Sequence, residues 1–190
     1  MAVISRNLAR SSRRAALHPV GFPGETFSTD EDRFEAAATP VYRELIRLCG
    51  GDRGRAEDLR QDTFERAARH LQRYPEREVG VGWFVTVARS AFIDQMRREG
   101  RDSRLRERLG ALARRDAIEP DWDQVTAGNA LAMLGRLNDE QRAALVLFHL
   151  HGFPIAEVAK QIDRSVRATE SLLVRARHRL RDLVQAEHGT

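Results

Sequence analysis

The stretch AEDLRQDTFERAARHL, residues 56–71, carries four carboxylates, Glu57, Asp58, Asp62 and Glu65, with Asp52 just upstream. Acids this crowded could serve as general acids and bases, form a solvated helix face, or meet another protein. General acid chemistry requires a carboxyl whose pKa is raised by burial or by a crowded pocket. Wound at about 100° per residue, Ala56, Leu59, Thr63, Phe64, Ala67 and Leu71 fall on one broad side. Asp58, Gln61, Asp62, Glu65 and Arg69 fall on the other, where water keeps the carboxylates ionised. No catalytic residue is expected here, and the pattern alone does not separate a solvated face from a docking face.

Other reactive residue types are sparse. Cys49 is the sole cysteine, which excludes an internal disulfide and a cysteine-based zinc cluster. The six histidines form no HExxH pair, and His149 and His151, two apart, point to different sides of a helix. No metal and no cofactor is implied.

The elements that carry these residues are helical. At 190 residues the chain can hold one ordinary domain or two small helical ones. Charged residues make up 32% and aromatics 6%, without the β-branched and aromatic enrichment of an all-β fold. The net charge is +4, and all but Lys160 of the basic residues are arginine. The planar guanidinium suits bidentate contacts to phosphate and guanine. No apolar run approaches the roughly 18 residues needed to span a bilayer, so no membrane insertion is expected and a cytoplasmic protein follows. Residues 1–28 lack a signal-peptide core and read as a disordered basic extension.

Caps and breakers mark the organisation. STDEDRF offers caps and first-turn acids for a helix over residues 30–48, ended by Gly50-Gly51. A second helix covers 55–71, QRYPEREVGVG reads as a loop, and WFVTVARSAFIDQMRR gives a third helix over 83–98. Residues 99–123, arginine-rich and polar, read as a basic, partly helical linker. Four further helices follow: 125–136; a helix capped by NDEQ and running to His151; a short one from Pro154 to Ile162; and a long one to about Val184 with Ser165 as N-cap.

The C-terminal half is the more telling. GFPIAEVAKQIDRSVRATESLLVRARHRL has the helix, tight turn and helix of a helix-turn-helix. Val158, Ala159, Ile162, Val166, Thr169, Leu173, Ala176 and Leu180 supply its inner side. Arg167, Ser171, Val174, Arg175 and His178 form the opposite stripe. Six arginines and one lysine between Lys160 and Arg181 outnumber two acids, Asp163 and Glu170. Arg164 and Arg167 lie at the end of the second helix that enters a major groove. On the third helix, Phe84, Val87, Ala88, Ala91, Phe92 and Met96 form an apolar arc. Trp83, Thr86, Ser90, Ile93, Asp94 and Arg97 occupy the rest, which suits either unpaired bases or a neighbouring helix.

With these pieces in place, the chain resembles the bacterial extracytoplasmic-function sigma factors, small two-domain initiation subunits of RNA polymerase. AEDLRQDTF is similar to their region-two signature and WFVTVARSAFIDQMRR to the promoter-melting helix. LNDEQRAALVLFHLHGFPIAEVAKQI and SVRATESLLVRARHRL are similar to region four. The resemblance implies an all-α fold: region 2 over 29–98, a linker over 99–123, and region 4 over 124–185. It implies core-polymerase contacts (β′ clamp and β flap), with Asp58, Gln61, Asp62 and Phe64 at or beneath the clamp interface. Trp83, Thr86, Ser90, Asp94, Arg97 and Arg98 would face minus-ten DNA, and Arg164, Arg167, Ser171 and Arg175 the minus-thirty-five duplex. An anti-sigma factor is a further implied partner. Ser90 stands where the family often has asparagine, Pro154 replaces a common capping serine, and Asp163 replaces a common turn glycine. Glu170 and Leu172 stand where many members carry basic residues. The alternatives are a helix-turn-helix regulator that acts without being a polymerase subunit, and a helical nuclease. The first needs a ligand pocket or receiver-like acids in residues 30–98, and the second a concave carboxylate set.

Overall fold

The computed structural model describes residues 29–108 and 128–188. The basic extension and most of the linker lie outside the described residues. Among the described residues seven α-helices follow one another: α1 (Asp30–Leu48), α2 (Arg53–Arg73), α3 (Val81–Arg108), α4 (Gly128–Gly135), α5 (Asp139–Leu145), α6 (Ile155–Gln161) and α7 (Val166–His188). A π-helical turn, Val146–Leu150, continues α5. Among the described residues there is no strand, and no helix is long and apolar enough to cross a membrane.

The expected punctuation is present. Thr29 and Asp32 cap α1 reciprocally, the Asp32 amide donating to Thr29 Oγ1 at 3.1 Å and the Thr29 amide to Asp32 Oδ2 at 3.0 Å. The helix runs through Pro40, which cannot donate to the carbonyl four residues back. Gly50 and Gly51 end it with φ of 65° and 90°, a conformation glycine adopts without steric cost. Asn138 and Gln141 close a capping box at α5, and the Ala168 amide donates to Ser165 Oγ at α7. Pro154 is the N-cap of α6 and makes no side-chain cap bond.

The helices divide into two compact units. The first comprises residues 29–45 and 57–91. Ala37, Val41 and Leu45 of α1 are buried there, with Leu59, Thr63, Ala67 and Leu71 of α2 and Phe84, Ala88 and Ala91 of α3. Phe34, Phe64 and Phe84 meet at ring separations of 5.2 to 6.1 Å. A buried ion pair, Arg89 Nε to Glu44 Oε1 at 2.7 Å, joins α3 to α1.

The second unit comprises residues 46–56 and everything described from Phe92 onward. Its core draws on Leu48 and Cys49, on Phe92, Ile93 and Met96 of α3, and on Ala143 to Leu147. Val158, Ala159 and Ile162 of the α6 segment and Leu172, Leu173, Ala176 and Leu183 of α7 complete it. One residue of the expected inner side differs: Val166, in the first turn of α7, is exposed. Leu172, beside Leu173, is buried as well and widens the apolar arc.

The turn between α6 and α7 is built on Asp163, whose φ of 59° is the left-handed conformation that a glycine takes without strain. A non-glycine residue pays about 1–2 kcal/mol there, least for Asp and Asn, while glycine's unfolded-state freedom takes back about 0.4–1 kcal/mol. Asp163→Gly should therefore raise stability, by up to about 1 kcal/mol, as a higher urea midpoint. A lower midpoint would mean that the Asp163 carboxylate contributes more than its backbone strain removes.

Candidate functional site

The acids of α2 sort into pairs and a remainder. Asp52 is a cap: the Arg55 amide donates to its Oδ1 at 2.9 Å. Glu57 pairs with Arg60, Asp62 with Arg66 at 2.7 Å, and Glu65 with Arg69 at 3.4 Å. These one-turn pairs are solvent-facing, so water and salt screen them and they add little to stability. The hydrogen bond from Arg60 holds the Glu57 carboxyl below the usual carboxylate range, the reverse of what a general acid needs. Asp58 is exposed and outside the pairing, next to Gln61, whose Nε2 reaches Glu65 Oε1 at 3.3 Å. Phe64 is half-buried against Phe34 and Phe84 and supports this face from beneath. The face thus presents one uncompensated carboxylate in a row of neutralised ones.

On α3 the six residues expected to face nucleic acid are in different states. Trp83 packs against the imidazole of His70, 5.1 Å between centroids, and edge-on against Phe84. Thr86 Oγ1 donates to the Gly82 carbonyl at 2.9 Å and Ser90 Oγ to the Thr86 carbonyl at 3.0 Å. Both hydroxyls are turned onto the helix's own backbone. Asp94 is half-buried, and its carbonyl accepts from Nε of the exposed Arg98 at 3.2 Å. Arg97 Nη2 donates to the carbonyls of Lys160 at 3.2 Å and Gln161 at 2.5 Å. Ile93, grouped with this face by the sequence, is buried. Trp83, Thr86 and Ser90 belong to the first unit and Asp94, Arg97 and Arg98 to the second.

In the C-terminal pair of helices, Arg167, Ser171, Val174, Arg175 and His178 are all exposed on one stripe of α7. Ser171 Oγ donates to the Arg167 carbonyl at 3.0 Å. Arg164, in the turn, is the exception: its Nη2 meets both carboxylate oxygens of Glu140 on α5, at 2.8 and 2.6 Å. This contact ties the turn to the helix behind it. Short helix, left-handed turn and long helix with a cationic outer stripe define a helix-turn-helix protein.

Sequence patterning did not reveal three features. Glu140 as the partner of Arg164 is one, and His70 beneath Trp83 is another. The third is a network around Arg142, which is buried and donates Nε to the Leu48 carbonyl at 2.6 Å. Its Nη1 reaches the carbonyls of Leu134 at 3.1 Å and Leu137 at 3.0 Å, and its Nη2 pairs with Asp139. Asp139 also meets Arg55 at 2.7 Å, and Arg55 reaches Glu99 at 3.3 Å. The only local signal for any of this is the Asp139–Arg142 spacing of three.

Residues 34–102 match the Sigma-70 region 2 family and residues 128–180 the Sigma-70, region 4 family. The extracytoplasmic-function (ECF) RNA polymerase sigma factor SigM of Bacillus subtilis is 31% identical over 156 residues, covering 82% of this chain and 94% of that protein. SigE of Mycolicibacterium smegmatis is 32% identical, covering 80% of this chain and 60% of that protein. The solved structure of the Bartonella quintana sigma factor RpoE, in complex with the anti-sigma factor NepR, is similar with a TM-score of 0.50 and 26% identity. That match covers 82% of this chain and 96% of the RpoE chain. The chain belongs to the ECF sigma factors of the sigma-70 family.

His70 gives the aromatic end of α3 a pH dependence. The ring is 5% exposed, lies 5.0 Å from Tyr74 and 5.1 Å from Trp83, and its Nε2 is buried with no hydrogen-bond partner. Burial, and then the nearby Arg77 charge, hold its pKa below the ordinary imidazole value. The unfolded chain therefore takes up the proton more readily than the folded one. Stability is fully present above about pH 6.5 and declines as the pH falls below it toward the folded pKa. His70→Phe should remove that part of the acid sensitivity when urea unfolding is compared at about pH 7.5 and 5.5. An unchanged pH difference in the variant would locate the sensitivity elsewhere.

Proposed function

We propose that this chain directs core RNA polymerase to a set of promoters and assists their melting, as an ECF-type sigma factor. The observation that carries this reading is the presence, in one chain and in family order, of the region 2 and region 4 matches. Residues 29–98 form region 2, 99–123 the linker and 124–185 region 4. The α2 face of Asp58, Gln61 and Asp62, backed by Phe64, docks on the β′ clamp, and region 4 meets the β flap. Trp83, Thr86, Ser90, Asp94, Arg97 and Arg98 attend the minus-ten element. Unpaired bases stack on an aromatic for about 1–3 kcal/mol each, comparable to the cost of unstacking them. Arg167, Ser171 and Arg175 lie on the stripe that enters the minus-thirty-five major groove, with Arg164 at its rim.

Chemistry belongs to the polymerase, and this chain catalyses none. It works in the bacterial cytoplasm, where promoters and polymerase are, and an anti-sigma factor restrains it. The similar RpoE structure, with NepR bound, supports that last part.

Two measurements test the reading. Asp58→Arg should weaken binding to core polymerase by about tenfold or more, since each 1.4 kcal/mol is tenfold and like-charge contacts cost several. Circular dichroism should not change. Unaltered affinity in a titration would remove α2 from the interface. Arg167→Ala and Arg175→Ala should each weaken holoenzyme binding to its promoters. If the arginine reads guanine, the loss is about 1–3 kcal/mol at one base position. If it touches phosphate only, all sequences weaken alike and the salt dependence flattens. Promoter binding unaffected by both substitutions would overturn the major-groove assignment.

A further inference from the structure

Two residues on the outward side of α7 are ill suited to phosphate. Val174, 44% exposed, sits among Arg167, Ser171, Arg175 and His178, and the exposed Glu170 flanks it four residues earlier. The acids of α2 show what an exposed carboxylate on an arginine-rich helix ordinarily does. Glu57, Asp62 and Glu65 each pair with an arginine three or four residues later. Glu170 has Leu173 and Val174 at those two positions. Arg167 stands three residues before it, the weaker direction for such a pair. Among the described residues Glu170 makes no ion pair and no side-chain hydrogen bond.

A helix laid in a major groove brings its outward residues near phosphates and base edges together. A carboxylate there is repelled by every phosphate, so it is tolerated only where a base offers it a hydrogen-bond donor. The groove holds two such donors, the amino groups of cytosine and adenine. Adenine has the N7 acceptor beside its amino group, which repels a carboxylate, whereas cytosine has a C–H at that place. Cytosine is therefore the base a glutamate selects. Valine neither donates nor accepts, and the apolar group of the major groove is the thymine methyl. Residues four apart on a helix have Cβ atoms about 5–6 Å apart, and stacked base pairs are about 3.4 Å apart.

We propose that Glu170 and Val174 choose bases in the minus-thirty-five duplex. Glu170 accepts from the amino group of a cytosine, and Val174 packs on the methyl of a thymine one or two base steps away. Neither residue adds to the attraction for the DNA backbone, so what they contribute is discrimination. The inference rests on the reading of α7 as the major-groove helix, and deepens it from the presence of contacts to the identity of two bases.

Both side chains are exposed, so circular dichroism of their variants should match wild type. Holoenzyme reconstituted from the full chain and core polymerase is incubated with duplexes carrying a randomised stretch long enough for a whole promoter, and the retained duplexes are sequenced. Wild type should favour cytosine over adenine at one position by about tenfold, the discrimination ordinary for a good base contact. Glu170→Gln should move that same position to adenine, because an amide donates to N7 while accepting from the amino group. The other positions should stay as they were. At the selected thymine, replacement by deoxyuridine removes only the methyl. It should weaken wild-type binding several-fold and leave Val174→Ser unaffected.

A wild-type selection without that cytosine overturns the glutamate contact. So does an unchanged base preference in Glu170→Gln, including one in which affinity rises uniformly because a negative charge has gone. Equal wild-type binding to thymine and deoxyuridine overturns the valine contact. If neither wild type nor variants bind core polymerase, the sigma-factor reading fails instead, and the same selection with the chain alone decides the two contacts.

Discussion

A guanidinium in a protein interior must be surrounded by oxygen, because each buried ion loses several kcal/mol of hydration. Arg142 meets that condition with three backbone carbonyls and a carboxylate, one carbonyl from the end of α1 and the other three groups from residues 134–139. Desolvation lowers its pKa, and Asp139 works against that shift. Much of the second unit follows from this one requirement. The end of α1, the end of α4 and the first turn of α5 have to converge within reach of one side chain, and glycines at 50 and 135 let the backbones come close enough.

Region 2 is organised differently. Its stability lies in apolar contact, the Phe34–Phe64–Phe84 cluster and the buried α3 face, with a buried charged fastener between Glu44 and Arg89. That division matters for α3, which runs through both environments. Its first turns are held by packing and by hydroxyls bonded to their own backbone. Its later turns carry Gln95, which holds Glu99 at 3.0 Å, and Arg97, which binds the Lys160 and Gln161 carbonyls.

Local signals in the sequence were strong where the physics is local. The Asn138–Gln141 box, the Gly50–Gly51 stop, the Ser165 cap and the outward stripe of α7 depend on neighbours within four residues, and periodicity and capping rules locate them. The residue preferences of the helix-turn-helix also survived a non-glycine at its turn, because Asp tolerates the left-handed region. What could not be read were partners far apart in sequence. Nothing near Arg164 in the sequence points to Glu140, 24 residues away, and nothing near Arg97 points to Lys160, 63 away.

The π-helical turn at Val146–Leu150 has a consequence for ancestry. The His151 amide donates to the Val146 carbonyl five residues back at 3.1 Å, so this turn accommodates one residue more than an α-turn does. An extra residue taken up in this way leaves the helix before it and the loop after it in place. The segment is thus where the chain can gain or lose a single amino acid without rotating the helix-turn-helix out of register. A chain shorter by one residue between 146 and 151 could run as an ordinary α-helix at this point.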